Sequence, residues 1–453
     1  MSRKDALKMA YVVIFILLLA IPGIWTFVGK QDTIGNEETV DFSDANYWNI
    51  ADKVDDYLNQ KFGFRNKLVD FNNRLNAMLG ESGNKEVIMG KDGWLYFSGA
   101  LHDYTGTDRL TDVEIDKIVK ILLMTQENVE ADGSKFIFAS APNKMEIYGE
   151  NMPYYHVEDE RPGNYENLFA RLEVAGVSCV DLKKILNAEK EDSDYRLYYK
   201  RDSHWNEVGA FIAYESIMEA LELDYVKCSK EFVVIENGYK GDLDKMLFPD
   251  AQAQDEHIII EKDYDFYYTS NYRGSEDLVI QTANDNKDGN LIMWRDSFGA
   301  FLYYKFAENF NSAEFRRELP YNFTNIGEQD AVVIEIVERN LKLLLENPPV
   351  IEHKEVVITT NEELSDMPEC SVKQVSGNQF ISVEIDNMPK ECIKVYFKIS
   401  TESDDKIYEA YPSGPNGNPC MYIKELPDNA KLSVMYEYNG KIYESLKNSL
   451  DCV

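Results

Sequence analysis

The sequence predicts an α/β fold: a mostly parallel β-sheet with flanking helices, preceded by one transmembrane helix and followed by a small β-sandwich. Between residues 111 and 337, buried strand-like runs alternate with amphipathic helical segments, as they do in βαβ units. After residue 349 the pattern changes to short alternating runs separated by turn residues, which is typical of a sandwich. Residues 9–28 are 20 uncharged positions, about the length that crosses a bilayer.

The first 30 residues predict a retained membrane anchor, residues 1–30, with a cytoplasmic tip. Basic residues such as Arg3 precede the apolar run, and acidic residues dominate after Lys30. The positive-inside rule therefore places the N-terminus in the cytoplasm and the bulk of the chain outside the cell membrane, with residues 31–44 as a linker. A cleaved signal peptide is the alternative, but the run is long for one and no small-residue cleavage motif follows it.

Composition and charge exclude several partners. The 453 residues carry a net charge of −33, so a nucleic acid finds no basic footprint and anionic lipid headgroups are repelled. We therefore expect neutral substrates or a local basic patch, and no cofactor. Six cysteines follow the anchor without CxxC spacing, which argues against zinc. Disulfides in the C-terminal region and buried free thiols both stay open.

Two helices and a hairpin precede the predicted sheet. Amphipathic spacing predicts helices at Tyr47–Lys61 and Arg65–Leu79, separated by Gly63. Two apolar runs between Val87 and Phe97 flank an Asp-Gly turn, which predicts a β-hairpin.

The alternating region supplies the predicted sheet. Its helices are predicted at Thr111–Ala131, Asn164–Ala175, Glu207–Leu221 and Gly299–Phe310. Its strands are predicted at residues 135–142, 177–182, 232–235, 257–262, 290–294 and 330–337. We assign residues 45–349 to this α/β domain and 350–453 to the β-sandwich accessory domain.

Three predicted strands end in polar residues. Because parallel sheets bind ligands at the carboxyl ends of their strands, residues 142–144, 295–299 and 338–340 are candidate site residues. In the second segment an apolar strand leads through Ser297 to Gly299 and a helix, an arrangement that exposes a serine nucleophile near backbone N–H groups able to stabilise an oxyanion. The alternative is that Ser297 is an ordinary helix N-cap.

Asp202 and His204 are the candidate partners of that serine. A serine nucleophile needs a general base, and the base needs a carboxylate that fixes its tautomer. The two residues lie on one turn, so their contact is easily made. The alternative is that Asp202 or Ser203 caps the helix that begins at Glu207. No metal is predicted, because the other four histidines are scattered without HxH or HxxxH spacing.

Two motifs carry a family resemblance. The stretch RDSHWNEVGAFIAY, followed about ninety residues later by RDSFG, resembles the AlgJ/AlgX-type polysaccharide O-acetyltransferases and their relatives in Gram-positive bacteria, the DHHW proteins. The stretches GKDGWLYF, APNKMEIYGENMP and VVIEIVERNL agree with it, and the similarity spans roughly residues 47–345.

The resemblance implies an SGNH-hydrolase-like catalytic domain at residues 45–349. By motif match, Ser297 is the nucleophile, His204 is the general base and Asp202 orients it. The implied activity is transfer of acetyl to a hydroxyl of an exported polysaccharide, with the acetyl supplied through a membrane-bound O-acyltransferase. The chain departs from a hydrolase-type Gly-Asp-Ser in having Arg295 before Asp296, and from the DHHW motif in having Ser203 where that motif has His. Both differences leave acceptor specificity open.

Three further residues are candidate substrate contacts. The Ser297 backbone N–H is expected to be one oxyanion donor and Asn143 a second, although Asn143 also fits a turn after a strand. Arg339 can contact substrate or pair with Glu335. Trp205 can stack on a sugar or pack beneath His204.

Three functions remain on the sequence. The first is a membrane-anchored extracytoplasmic O-acetyltransferase that works through an acetyl-serine. The second is a carbohydrate acetyl esterase with the same triad, in which water replaces the sugar hydroxyl. The third is an inert glycan-binding or scaffold protein, against which the presence of Asp202, His204 and Ser297 argues.

Overall fold

The architecture is that of a computed structural model. It describes residues 3–28, 50, 53–54, 65–158, 161–227, 233–324, 326–358, 362–364, 370–374, 381–385, 390–414, 417–423 and 430–445. The helix predicted at Tyr47–Lys61 falls mostly outside these residues.

Helices and short strands alternate before the C-terminal strands. The helices are α1 (Arg3–Val28), α2 (Arg65–Met78), α3 (Leu101–Thr105), α4 (Asp112–Ala131), α5 (Lys144–Ile147), α6 (Asn164–Ala175), α7 (Leu182–Asp192), α8 (Glu207–Ala220), α9 (Asp242–Leu247), α10 (Tyr303–Ala307) and α11 (Leu343–Glu346). The strands are β1 (Val87–Met89), β2 (Leu95–Phe97), β3 (Lys135–Ala141), β4 (Cys179–Val180), β5 (Val233–Tyr239), β6 (Asp255–Ile260), β7 (Tyr267–Tyr268), β8 (Val279–Ala283), β9 (Asn290–Trp294), β10 (Ser312–Arg316), β11 (Ala331–Val337), β12 (Glu362–Leu364), β13 (Cys370–Gln374), β14 (Ile381–Ile385), β15 (Val395–Ser400), β16 (Asp405–Ala410), β17 (Cys420–Ile423), β18 (Lys431–Tyr438) and β19 (Lys441–Ser445).

A seven-stranded sheet of order β4-β3-β11-β9-β10-β8-β7 organises the α/β region. Its first five strands are parallel. At one edge, β8 pairs antiparallel with both β10 and β7. The sheet is therefore mixed, and its continuous parallel part is formed by the first five strands. The strands β8 and β10 escaped the sequence reasoning because their alternating, half-polar runs are short.

Strand β11 lies inside the sheet, between β3 and β9, and all seven of its residues are buried. Its side chains alternate between two apolar cores: Val333 faces the layer of α8, whereas Ile334 faces the layer of α4 and α6. A strand covered on both faces reads as a nearly continuous apolar run, and in β11 only Glu335 interrupts it. Thr111 and Glu114 form a capping box that starts α4 where the sequence predicts a helix.

Several predicted elements differ from those observed. The hairpin at Val87–Phe97 is confirmed, since β1 and β2 pair antiparallel. The predicted strands at 232–235 and 257–262 pair with each other as β5 and β6 and do not join the main sheet. The helix predicted at Gly299–Phe310 is shorter, because a 3₁₀ turn at Phe298–Phe301 comes before α10.

The C-terminal region consists of two β-sheets, one of order β12-β19-β18-β15-β16 and one of order β13-β14-β17. They share an apolar core, in which Met421 of β17 packs with Val395 and Phe397 of β15. This region contacts α4 of the α/β region through an ion pair of 2.6 Å between Lys120 and Glu409.

Two predictions about the chain's environment meet the structure. No helix among the described residues is long and apolar enough to cross a membrane, so the predicted anchor is not confirmed. Cys179 and Cys392 are free thiols.

Candidate active site

The loop from Tyr198 to Trp205 carries Asp202 and His204, and its two ends pair with each other as an antiparallel bridge. Within it, the Tyr199 amide donates to the His204 carbonyl at 3.3 Å. Asn206 then caps α8, because its Oδ1 accepts from Val208 N at 3.0 Å and from Gly209 N at 3.2 Å. Asp202 and Ser203 are therefore not the helix cap, and their side chains point to other partners.

Ser297 follows β9 in a tight turn that is held by its neighbour Asp296. Asp296 Oδ1 accepts from the Phe298 amide at 2.8 Å, and Oδ2 accepts from the Val337 amide at the end of β11 at 2.7 Å. The Ser297 hydroxyl makes no capping hydrogen bond to the turn that it begins. The N-cap alternative for Ser297 thus does not describe its side chain.

Asp202, His204 and Ser297 are brought together in one line of hydrogen bonds. His204 Nε2 lies 2.8 Å from Ser297 Oγ, and His204 Nδ1 lies 2.7 Å from Asp202 Oδ1. Asp202 Oδ1 also accepts from the His204 amide at 3.0 Å, which fixes the ring relative to its own backbone. With Nδ1 donating to the carboxylate, Nε2 is the acceptor for the serine proton.

Two residues that sequence reasoning missed complete this arrangement. Asp202 Oδ2 accepts from the Tyr239 hydroxyl at 3.0 Å and from the Asp242 amide at 2.9 Å. The Asp242 carboxylate in turn accepts from the Ser203 amide at 2.7 Å. Nothing in the sequence points to Tyr239 or Asp242, because they lie about forty residues beyond the motif, in a segment without a motif of its own.

Burial and these bonds set the charge state of the pair. Burial opposes ionisation of Asp202, but His204 and the surrounding donors hold the pKa of this carboxyl below its ordinary value. Burial also disfavours the imidazolium, yet the Asp202 carboxylate outweighs it and raises the pKa of His204 above its ordinary value. Burial and the Asp202 charge raise the pKa of Asp242. His204 is thus a strengthened base.

The three predicted substrate contacts have structural partners. Asn143 is buried. Its side-chain Nδ2 donates to Asp103 at 3.3 Å, and its side-chain Oδ1 accepts from Arg339 at 3.2 Å. The Arg339 guanidinium lies 5.6 Å from the centre of the Phe298 ring, and it makes no ion pair with Glu335 among the described residues.

The structure corrects the prediction that Trp205 is a substrate contact. Its side chain is fully buried and donates to the Phe298 carbonyl at 3.1 Å, so it joins the loop to the Ser297 turn and offers no face to a sugar.

A cavity of about 430 Å³ opens over Ser297 and His204. Aromatic side chains and carboxylates both line it. The lining residues are Asp202, His204, Glu207, Tyr239, Asp242, Lys245, Ser275, Glu276, Ser297, Ala300, Phe301, Tyr303 and Tyr304. The arrangement can activate a serine hydroxyl against an acyl group that is held in this cavity.

Asp202, His204 and Asp242 also place ligand atoms within 4.8 Å of one another, close enough for a metal ion. Their lone pairs and protons are already committed to hydrogen bonds, including the one from His204 to Ser297. Metal binding has to break these bonds, so the donor set fits a hydrogen-bonded triad better than a metal centre.

Comparison with known proteins finds sequences that are similar to part of this chain. Residues 87–292 match the family model of the SGNH hydrolase-like domain of acetyltransferase AlgX. The probable alginate O-acetylase AlgJ of Pseudomonas syringae pv. tomato is 25% identical over 252 residues, which cover 53% of this chain and 61% of AlgJ. AlgJ of Pseudomonas putida is 22% identical over 251 residues, with the same coverage. The chain thus spans about three fifths of the length of these curated relatives.

Several solved structures also resemble part of this chain. The O-acetyltransferase domain of P. putida AlgJ is 18% identical, with a TM-score of 0.38 and coverage of 57% of this chain and 92% of that one. Bacillus cereus PatB1 is 17% identical, with a TM-score of 0.40 and coverage of 56% and 96%. A DHHW family protein from Eubacterium siraeum is 14% identical, with a TM-score of 0.40 and coverage of 56% and 94%. The resemblance to AlgJ, AlgX and the DHHW proteins is confirmed.

Gly241 lies just before α9, where the chain packs against the loop from Tyr198 to Trp205, and this close approach predicts the effect of a larger side chain. A Cβ atom here would lie 2.2 Å from the Arg201 carbonyl oxygen and 2.8 Å from Asp202 Cα. We expect Gly241→Ala to lower the free energy of unfolding by about 1–3 kcal/mol, because the backbone has to move. Urea denaturation measures this loss. Gly274→Ala is the control, since a Cβ there meets nothing within 4 Å; equal midpoints for the two variants would contradict the packing.

Proposed function

We propose that the protein is a polysaccharide O-acetyltransferase that works through an acetyl-serine, a proposal supported by the match of residues 87–292 to the family model of the SGNH hydrolase-like domain of acetyltransferase AlgX. The observation that carries the proposal is the line Asp202–His204–Ser297, with contacts of 2.7 and 2.8 Å beneath an open cavity. Ser297 lies just beyond the matched range, so its role rests on this geometry and on the RDSFG motif.

In the first half-reaction, Ser297 Oγ attacks the carbonyl carbon of a donor acetyl ester while His204 Nε2 takes the hydroxyl proton. The tetrahedral intermediate collapses when the C–O bond to the donor breaks and His204 returns the proton to the leaving oxygen. The buried Asp202 carboxylate stabilises the imidazolium that exists between these events. Acetyl-Ser297 and a free donor hydroxyl are the products.

In the second half-reaction, a sugar hydroxyl takes the donor's place. His204 Nε2 accepts the hydroxyl proton as the sugar oxygen attacks the acetyl carbon, and Ser297 Oγ leaves with that proton. The Ser297 backbone N–H is the proposed oxyanion donor in both halves. Asn143 as a second donor stays a prediction; Asp103 accepts from its side-chain amide, whose NH₂ group has a second N–H to donate.

The cavity favours a neutral acceptor. The half-buried aromatic side chains of Tyr239 and Phe301 line the cavity, and a sugar ring can pack on them. The titratable lining of the cavity contains four carboxylates, of Asp202, Glu207, Asp242 and Glu276, against the single ammonium of Lys245. A polyanionic chain would meet repulsion here, in a protein whose net charge is already −33.

The remaining parts of the proposal rest on the sequence. They are the extracytoplasmic location, the boundary between a catalytic domain at 45–349 and an accessory domain at 350–453, and a membrane-bound O-acyltransferase as the donor partner. Protease treatment of intact cells tests the location, because an extracytoplasmic chain is cleaved without lysis.

Loss of the nucleophile provides the central test. With a chromogenic acetyl ester as donor and a neutral oligosaccharide as acceptor, we expect the wild-type protein to form acetylated sugar. Ser297→Ala should lower this rate by about 1,000-fold or more, because no acetyl-enzyme forms. Mass spectrometry of the sugar and of Ser297 measures both steps. Ser312→Ala, an exposed serine at the start of β10, is the matched control.

The products separate the proposal from its alternatives. Free acetate without acetylated sugar would show an esterase with the same triad. Full transfer by Ser297→Ala would exclude the triad mechanism altogether.

The raised pKa of His204 predicts the pH dependence. Only neutral His204 accepts the serine proton, so kcat/KM should fall as the pH drops through a midpoint above 6.5, the ordinary value. Asp202→Asn removes the charge that raises this pKa, so the acid limb should move to lower pH while the rate falls by about 10⁴-fold. Rate profiles against pH measure both effects. Asp250→Asn, an exposed isosteric change, should leave the limb in place; a limb that stays fixed in Asp202→Asn would refute the coupling.

A further inference from the structure

Lys144 is a buried lysine that meets the catalytic loop from the sheet side. It is the first residue of α5, directly after β3 and Asn143, and it is 5% exposed. Its Nζ donates to the carbonyl of Tyr199 at 3.2 Å, of Lys200 at 3.2 Å and of Asp202 at 2.5 Å. The three N–H bonds of an ammonium group are thereby matched to three acceptors.

These carbonyls all belong to the closed loop between Tyr198 and Trp205. Their convergence is unusual, because carbonyl dipoles that point at one place repel each other unless a cation lies there. A buried carbonyl without a donor is costly, so the loop conformation is stabilised by the ammonium that satisfies it. A second link ties the same elements together: the Tyr198 hydroxyl donates to the Pro142 carbonyl at 2.7 Å.

The surroundings show how this charge is kept inside the protein. Its hydrogen-bond acceptors are uncharged carbonyls, and the rings of Trp94 and Tyr96 lie 5.6 and 5.0 Å from Nζ. Burial lowers the pKa of Lys144 to about 7, against the raising effect of nearby carboxylates and with a smaller lowering effect of an arginine. The charged groups that face it are Asp202, Asp242, Asp255 and Arg196.

We propose that Lys144 is a positioning residue: its ammonium group holds residues 199–204 in the conformation that points Asp202 and His204 at Ser297. It touches neither the substrate nor the reacting atoms, and it acts through the backbone of the loop. This inference rests on the proposed role of Ser297 as nucleophile. It assigns a task to the lysine of the APNKM stretch, which belongs neither to the triad nor to the cavity lining.

Modification of Ser297 by an aryl sulfonyl fluoride gives a readout that needs no acceptor sugar. Lys144→Met keeps the length and apolar stem of the side chain but deletes the ammonium, and circular dichroism checks its folding. We expect its modification rate and its kcat for the chromogenic ester to fall by about 100-fold, with KM within about twofold of wild type, because the base is misplaced while the cavity is intact. Lys135→Met is the matched control.

Lys135 makes the same kind of contact at the opposite end of β3, where its Nζ donates to the Leu221 carbonyl at 2.6 Å. Its loss should leave the modification rate unchanged. A folded Lys144→Met protein that is modified at the wild-type rate would overturn the inference. Absence of modification in the wild type would instead refute the nucleophile, and with it the proposed function.

The wild-type protein supplies a second measurement, which decides the matter if Lys144→Met does not fold. A neutral amine has two N–H donors for three carbonyls, so the modification rate should reach a maximum and then decline as the pH rises above neutrality. The expected decline is tenfold or more by about pH 9. A rate that stays constant from its plateau to pH 10 would show that the charge of Lys144 is not needed.

Discussion

The buried carboxylate of Asp202 is the constraint on which the site depends. An ionised carboxylate is stable away from water only when its lone pairs are filled by donors. Here one oxygen accepts from the amide and ring of His204, and the other accepts from the Tyr239 hydroxyl and the Asp242 amide. Each donor that satisfies the charge also fixes the position of a different segment, so charge compensation and catalytic geometry are the same set of bonds.

This constraint explains the segment that follows α8. The antiparallel pair of β5 and β6 lies outside the main sheet, yet β5 ends in Tyr239, whose ring stacks on Tyr199 with centroids 3.9 Å apart. The next residues bring the first turn of α9 against the loop, and the Asp244 amide donates to the Arg201 carbonyl at 3.1 Å. The β5–β6 pair and α9 therefore hold the loop from Tyr198 to Trp205 in place from outside the main sheet.

The sequence could predict the parts of this arrangement that depend on local pattern. Continuous apolar runs identified β3, β9 and β11, and the rule that ligands lie at the carboxyl ends of strands pointed to Ser297. The spacing of Asp202 and His204 within one turn identified a candidate general base and the carboxylate that orients it. Tyr239, Asp242 and the carbonyl contacts of Lys144 could not be found in this way, because they depend on loop closure between segments that carry no periodic signal. The buried state of Trp205 likewise depends on Phe298, 93 residues away.

Why Arg295 stands before Asp296 follows from the sheet itself. Asp296 joins the ends of β9 and β11 through the Val337 amide, and its own amide donates to Glu335 at 3.1 Å. Burial and the neighbouring Asp296 carboxylate raise the pKa of Glu335 well above its ordinary value, so Glu335 is a neutral carboxyl within the core.

Arg295 does not neutralise Glu335 by direct pairing; its guanidinium donates to the Ser275 carbonyl at 2.5 Å and the Asp277 carbonyl at 3.3 Å. Arg295 therefore anchors the segment before β8 beneath the Ser297 turn. The position before the acidic residue of the motif thus serves the wall of the cavity, where Ser275 and Glu276 lie, and not the triad.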